Sequence, residues 1–159
     1  MNLIPVLLAL ATLTSGIFTG LIFTMLDVMQ PILNQQSGAE YTALMQNIIS
    51  SGRRSRVVLV SLLGTILIAL AALVLMVSQN QIKLAFWLTL AGWLAFVVGA
   101  LGISRFAAEP LYDVIMGWKP SAPPADWPQY RQRWYQLNLM RGTGALAAFV
   151  LFLVALLVR

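Results

Sequence analysis

Four long apolar segments dominate the pattern of hydrophobic and polar positions along the chain. They cover residues 3–26, 57–77, 84–103 and 139–158, and each has the roughly 20 residues that an α-helix needs to cross a hydrocarbon core of about 30 Å. The pattern predicts an all-α protein, a four-transmembrane-helix bundle that forms one integral membrane domain over residues 1–159. No basic residue precedes the first segment, which is also longer than the apolar region of a secretory signal. We expect it to be a retained transmembrane helix.

The connections between these segments are unequal in length. The stretch SQNQIK joins the second and third segments, which predicts a tight hairpin. The other two connections are long and polar, and we expect them to carry short helices of their own. Ser37 followed three positions later by Glu40 is a capping-box pattern, so one such helix is predicted from there to Gly52. Its apolar side would include Tyr41.

The second long connection contains the segment EPLYDVIMG. Pro110 is well suited to the first turn of a separate short helix, and the prolines between residues 120 and 124 favour extended structure. Asp126 is then expected to cap the last helix. Because no proline follows Pro128, we predict that this helix runs unbroken from about Trp127 through the fourth apolar segment.

The distribution of charge predicts the orientation of the bundle. Ten Lys and Arg residues stand against five Asp and Glu residues, a formal net charge of +5. The basic residues on the side of the two long connections are Arg53, Arg54, Arg56, Arg105, Lys119, Arg131, Arg133 and Arg141. The positive-inside rule places both long connections in the cytoplasm and both termini outside, in a multi-pass protein of the cell (inner) membrane. Because these cations serve topology and no soluble fold accompanies them, we expect the lipid bilayer as a partner and no nucleic acid.

Composition restricts the possible chemistry. Hydrophobic residues make up 60% of the chain and charged residues 9%, as is typical of a polytopic membrane protein. The chain contains no cysteine and no histidine, which excludes thiolate chemistry, an imidazole base and histidine-bound metal or haem. We expect no metal ion and no cofactor, and any reaction would depend on carboxylates, arginines, amides and phenols.

The last helix carries a stripe of aromatic and polar side chains. Trp127, Arg131, Trp134, Asn138 and Arg141 recur at intervals of four and three, so they share one helix face. One interpretation is an interfacial belt, with the tryptophans at the membrane boundary and the arginines extended to lipid headgroups. For Asn138 and Arg141 we favour an inward orientation, because an ionised group inside a membrane normally pairs with a partner or marks a site.

A partner for Arg141 is expected on the first helix. Asp27 ends a face of small and polar residues there, at about the depth of Arg141. The other members of that face are Thr12, Gly16, Gly20 and Thr24. Two interpretations stay open: a structural Asp27–Arg141 ion pair, or a carboxylate and a guanidinium that share a pocket. Near the end of the third segment, Arg105, Glu109 and Asp113 are spaced by four and are expected to pair along one face.

In several segments the chain resembles the anthrone-oxygenase-like family, a domain of unknown function in which four membrane helices form one bundle. The resemblance rests on the glycine-rich first helix before Pro31, the segment YTALMQNI, the tripeptide EPL, and the run RWYQLNLMR that follows Trp127. The residues carried over from it are Tyr41, Gln46, Asn47, Trp127, Arg133, Trp134, Asn138 and Arg141. The resemblance implies that a few relatives oxidise polycyclic phenols, although a histidine thought to matter in the fungal enzymes is missing here.

Two functions compete for these residues. The first is non-enzymatic: a pocket at the cytoplasmic membrane face that binds a hydrophobic aromatic, quinone-like or lipid ligand, or an accessory subunit in a homo-oligomer or against a partner membrane subunit. The alternative is a cofactor-independent oxygenase of anthrone-like or quinol-like aromatics, in which Asp27 or Glu109 removes a proton and fixed donors stabilise the anion. The candidate catalytic residues are Asp27, Glu109 and Arg141, and the candidate ligand-binding residues are Tyr41, Gln46, Arg105, Trp127, Arg131, Trp134 and Asn138.

Overall fold

The structure is a computed structural model that describes residues 3–159, so Met1 and Asn2 of the predicted 1–159 domain lie outside the described residues. The helices of the described chain are α1 (Ile4–Asn34), α2 (Gly38–Arg54), α3 (Arg56–Ser78), α4 (Leu84–Met116) and α5 (Trp127–Leu157). All of them except α2 are long and apolar enough to span a membrane. The predicted fold class, an all-helical protein with four candidate membrane spans, is confirmed.

α1 packs against two other membrane-spanning helices. It contacts α3 on one side and α5 on the other, and α5 also packs along α4. The buried residues of its membrane part are Ile4, Leu8, Ala11, Thr12, Ser15, Phe18, Thr19 and Ile22. Large apolar side chains such as Val60 and Leu67 on α3 stay exposed, as expected for a helix that faces lipid tails. These faces make the chain a multi-pass membrane protein.

Small residues allow α4 and α5 to approach closely. A Cβ atom on Gly99 would lie 2.8 Å from the Cα atom of Gly144, so neither position has room for a side chain. Phe152 is a bulky residue among the buried alanines Ala145, Ala148 and Ala155 of α5, and its ring is fully buried. It fills the space opposite Gly92, where an added Cβ atom would lie 2.9 Å from the ring. Close backbone contact of this kind is typical of membrane helix packing.

Two prolines lie inside long helices. We predicted that the first span ends near residue 26 and that Pro110 begins a separate helix, but α1 continues to Asn34 and α4 to Met116. In each case a π-helical segment, Met25–Met29 or Ser104–Ala108, ends two residues before the proline. A proline cannot donate an N–H group and its ring crowds the preceding turn. A wider π turn accommodates both effects. The predicted helix with Pro110 in its first turn is present as Glu109–Met116, but it continues α4 and does not stand apart from it.

The first long connection folds as its capping pattern predicts. The Ser37 N–H donates to Glu40 Oε2 at 2.9 Å, and the Glu40 N–H donates to Ser37 Oγ at 3.4 Å. α2 continues past Gly52 and ends at Arg54, where Ser55 starts α3 by accepting a hydrogen bond from the Val58 N–H. In the second connection, Asp126 occupies the N-cap position of α5 but makes no side-chain capping bond. The unbroken last helix is confirmed.

Candidate functional site

Arg141 is buried at the end of the bundle that carries the two long connections, which we call the loop-side end. Only 9% of its surface is exposed. Its Nη1 atom donates to the hydroxyl oxygen of Tyr112 at 3.1 Å and to Oδ1 of Asn138 at 3.2 Å. No carboxylate within residues 3–159 lies within 4.0 Å of the guanidinium, and its buried Nε atom has no hydrogen-bond partner. No described side chain therefore neutralises this buried cation.

Asn138 is oriented by the helix that carries it. Its Nδ2 atom donates to the carbonyl oxygen of Trp134 at 2.9 Å, one turn earlier on α5, and its Oδ1 atom is thereby turned towards Arg141. Asn138 and Trp134 are each 2% exposed. The inner part of the predicted stripe therefore faces the protein interior, and the interfacial-belt interpretation does not hold for Trp134.

The expected carboxylate partner from α1 is not there. Asp27 is exposed and makes no ion pair in the described part of the chain, so the predicted Asp27–Arg141 ion pair is wrong. The face of α1 that turns inward carries the large side chains Phe18 and Ile22, while Gly20 is exposed. Burial of large apolar side chains against the small residues of α5 contributes more free energy of folding than packing of small residues against small residues would. The rotation of α1 that buries these side chains leaves Asp27 outside.

The acidic residues of α4 have a different partner from the predicted one. The Arg53 guanidinium on α2 donates to Glu109 through Nε at 3.1 Å and to Asp113 through Nη2 at 2.7 Å. Arg105 is exposed and lies within the π segment Ser104–Ala108. Both carboxylates pair with Arg53 instead, so the predicted pairing of Arg105 with Glu109 and Asp113 is wrong.

Two predicted ligand-binding residues close the carboxyl ends of helices. Arg131 Nη1 donates to the carbonyl oxygens of Leu33 at 3.2 Å and Asn34 at 3.3 Å, at the end of α1. Gln46 Nε2 donates to carbonyl oxygens of Ile115 and Trp118 at the end of α4. Terminal carbonyls of a helix lack intrahelical donors, so both side chains have a structural task in this arrangement.

Trp127, at the start of α5, stacks with an aromatic and a cationic side chain. Its ring centroid lies 5.1 Å from that of Tyr41 on α2, and the guanidinium carbon of Arg131 lies 4.9 Å from the Trp127 ring centroid. Tyr41 is fully buried and its hydroxyl group has no hydrogen-bond partner. Burial raises the pKa of Tyr41; the nearby charge of Arg131 opposes this rise, and the neighbouring Tyr112 hydroxyl adds to it.

Sequence reasoning missed two residues of this region, Tyr112 and Gln30. Tyr112 is the contact between Arg141 and α4. Gln30 is 7% exposed; its Nε2 atom donates to Oδ1 of Asn34 at 2.9 Å, and its Oε1 atom is buried without a partner. The sequence did contain one signal for these two residues. Each of them lies within two positions of a proline that a spanning helix passes through.

Two open grooves lie away from this site. One runs between α1 and α5 and is lined by Ala9, Thr12, Leu13, Gly16, Ile17 and Phe149. A second runs between α1 and α3, around Leu7 and Leu70. Neither groove includes Asn138 or Arg141. Within residues 3–159, no three acidic side chains converge as ligands for a metal ion.

Comparison with known protein families gives one match. A sequence model of the anthrone oxygenase family matches residues 53–151, more than half of the chain. The matched segment includes Tyr112, Asn138 and Arg141, whereas Gln30 and Tyr41 precede it. Comparisons with curated proteins and with solved structures give no match. By the match over α3, α4 and most of α5, the chain belongs to the anthrone oxygenase family.

Proposed function

We propose that the loop-side end binds a hydrophobic aromatic ligand through an oxygen atom that carries negative charge, with Arg141 as the cation that receives it. The observation that carries this proposal is the buried guanidinium that no carboxylate within residues 3–159 neutralises. Removal of a cation from water costs several kcal/mol unless an opposite charge compensates it. An enolate or phenolate oxygen at the free Nε atom would supply that compensation, and a quinone carbonyl oxygen would supply part of it through its negative partial charge.

The surroundings of Arg141 suit an aromatic ring system. Tyr41, Trp134 and Leu137 belong to one buried apolar cluster, against which Tyr112 and Trp127 also pack. Aromatic side chains offer large apolar contact area and favourable edge and face contacts to a ring. The same side chains exclude water, which strengthens the attraction between a guanidinium and an anionic oxygen.

Membership of the family favours a particular reaction on such a ligand, the oxygenation of an anthrone-like compound. Loss of a proton converts an anthrone into its enolate, which reacts with dioxygen at carbon; loss of water from the resulting hydroperoxide leaves a quinone. The protein would remove the proton and stabilise the anion, without a metal. Arg141, Tyr112 and Asn138 are the proposed anion-stabilising groups, and Asp27 and Glu109 remain the two candidate bases.

We also propose that the loop-side end lies in the cytoplasm and that the protein resides in the cell membrane. The proposal follows from the excess of Lys and Arg on the two long connections. Because the chain has no cysteine, single cysteines placed at Ser121 and at Asn80 can report orientation. A membrane-impermeant maleimide added to intact cells should label Asn80→Cys and leave Ser121→Cys unlabelled; the reverse pattern would invert the proposed topology.

The binding proposal is tested with Arg141→Leu against a matched control, Arg133→Leu. Arg133 lies on the same helix but is exposed. The affinity of purified protein for anthraquinone, followed by tryptophan fluorescence, should fall roughly tenfold or more in Arg141→Leu, because a charge-assisted contact is lost. It should stay unchanged in Arg133→Leu. Equal affinity in both variants would contradict the proposed site.

Oxygen uptake with anthrone as the substrate tests the reaction separately. An enzyme should consume dioxygen and form anthraquinone, and Arg141→Leu should abolish most of this turnover while Arg133→Leu retains it. The variants Asp27→Asn and Glu109→Gln then show which carboxylate acts as the base. Binding that depends on Arg141 without oxygen uptake would leave a ligand-binding protein and exclude the oxygenase.

A further inference from the structure

Three polar atoms at the loop-side end are buried without a hydrogen-bond partner. They are Oε1 of Gln30 on α1, the hydroxyl oxygen of Tyr41 on α2 and Nε of Arg141 on α5. Unpartnered polar atoms are rare in packed interiors, because each one loses its bonds to water and gains nothing in exchange. Three of them from three different helices call for a common explanation.

Contacts between α1 and α5 place Gln30 beside the stripe of α5. Arg131 on α5 donates a hydrogen bond to the carbonyl oxygen of Leu33 on α1. Further along α5, a Cβ atom added to Gly142 would lie 3.2 Å from the side chain of Ile22. These two contacts fix the antiparallel register of the pair. Gln30 lies between them, opposite the turn that carries Trp134 and Asn138.

Tyr41 approaches the same region from α2. Its ring is buried in the cluster that contains Leu33 and Trp134, and it stacks on Trp127. Tyr112, whose hydroxyl group accepts a hydrogen bond from Arg141, packs against the same cluster. This cluster therefore connects Tyr41 to the tyrosine that Arg141 contacts.

The chemistry of the three atoms is complementary to a particular kind of ligand. Gln30 uses its amide nitrogen for Asn34, so the atom left over is an acceptor. Arg141 Nε can only donate, and a tyrosine hydroxyl can do both. A ligand that satisfies all three must carry a hydrogen-bond donor in addition to the oxygen that Arg141 binds.

We infer that Gln30 and Tyr41 determine ligand specificity: they select an aromatic ligand with a free hydroxyl group over the same ligand without one. The inference rests on the proposed function, because Arg141 must hold the same molecule. Neither residue lies in the segment matched by the family model, so the selectivity would belong to the amino-terminal part of this chain.

The test compares two ligands with the same ring system, one of which can donate a hydrogen bond from its substituent and one of which cannot. 2-Hydroxyanthraquinone and 2-methoxyanthraquinone share their ring system and carbonyl oxygens. The unchanged protein should bind the hydroxy compound roughly tenfold more tightly, the worth of one net hydrogen bond. Gln30→Met and Tyr41→Phe should each reduce this preference by weakening the hydroxy compound alone. The controls Gln136→Met and Tyr135→Phe, whose side chains make no hydrogen bond among the described residues, should retain it.

Thermal stability of the ligand-free protein provides a second readout. Because the Tyr41 hydroxyl has no partner, Tyr41→Phe should melt at the same temperature as the unchanged protein or higher. A lower melting temperature together with an unchanged preference would show that the hydroxyl serves folding, and would overturn the inference.

The outcomes separate this inference from the proposed function. If Arg141→Leu weakens both compounds while Gln30→Met and Tyr41→Phe leave the preference intact, the binding site stands and the assigned selectivity is wrong. If Arg141→Leu changes neither affinity, or if neither compound binds, the proposed function fails and the inference fails with it.

Discussion

Gln46 donates from Nε2 to the carbonyl oxygen of Ile115, 3.0 Å away, and this bond joins two helices whose residues are far apart in sequence. The same nitrogen also reaches the carbonyl oxygen of Trp118 at 2.9 Å. The Ile115 carbonyl also accepts the Trp118 N–H at 3.2 Å, so Gln46 is an additional donor to the end of α4. One amide from α2 thus closes α4 and holds the first long connection against the second.

Replacing this amide should destabilise the loop-side end. Gln46→Met keeps the length of the side chain but removes the donor, and we expect a loss of about 1–2 kcal/mol in the free energy of unfolding because buried carbonyls lose a partner. Thermal unfolding in detergent measures it. Asn47→Met, at an exposed neighbouring position, should change stability by less than about 0.5 kcal/mol. Equal effects would remove the capping role of Gln46.

Arg53 joins α2 to α4 through two carboxylates. Its side chain is 37% exposed and that of Glu109 is 32% exposed, so solvent screens the pair. Arg53→Gln should therefore cost only about 0.5–1 kcal/mol, and the difference should shrink as salt is raised towards 1 M. The adjacent Arg54→Gln is the control, because Arg54 forms no ion pair within the part of the chain that the structure describes. A loss that salt does not reduce would contradict an electrostatic origin.

The close approach of α4 and α5 leaves no room at Gly144. Gly144→Ala should lower stability by about 1–3 kcal/mol, the usual cost of forcing atoms into a packed contact. In contrast, nothing lies within 4 Å of a Cβ atom added to Gly52 on α2. Gly52→Ala should raise stability by about 0.5–1 kcal/mol through helix propensity. Because the two substitutions are identical, opposite signs of the stability change would show that the loss at Gly144 comes from the contact between α4 and α5.

Burial of Tyr41 predicts a loss of stability in alkali. The pKa of this hydroxyl is raised in the folded protein, whereas in the unfolded chain it ionises near the ordinary tyrosine value of about 10. Above that pH the unfolded state holds fewer protons than the folded state, so the free energy of unfolding falls as pH rises. Melting temperatures on either side of this pH should show a steeper fall for the unchanged protein than for Tyr41→Phe. Tyr135→Phe should keep the full slope.

Properties set by local sequence were predictable. The length of the apolar segments decides which helices can cross a membrane, and the pairing of Ser37 with Glu40 starts α2. The spacing of Trp134, Asn138 and Arg141 puts their side chains on one helix face regardless of what surrounds it. These three residues are buried together for that reason.

Properties that depend on how the helices rotate against one another were not predictable from the sequence. The glycines and Asp27 suggested an inward face of α1, but Phe18 and Ile22 occupy that direction. A spacing of four predicted that Arg105 pairs with Glu109, but Arg105 is exposed and forms no ion pair among the described residues. The true partner, Arg53, comes from another helix, and no rule of local spacing identifies it.

The π turn before Pro31 lets α1 hold an additional residue without turning its inward face away from α5. Such a turn contains one residue more than an α turn, so deletion of Val28 should restore regular winding and leave the amide of Gln30 facing α5. Deletion of Leu21, in the regular part of α1, would instead rotate Gln30 by about 100° around the helix axis. A relative shorter by one position within the π turn can therefore keep its amide beside the proline, and a relative shorter elsewhere in the helix cannot.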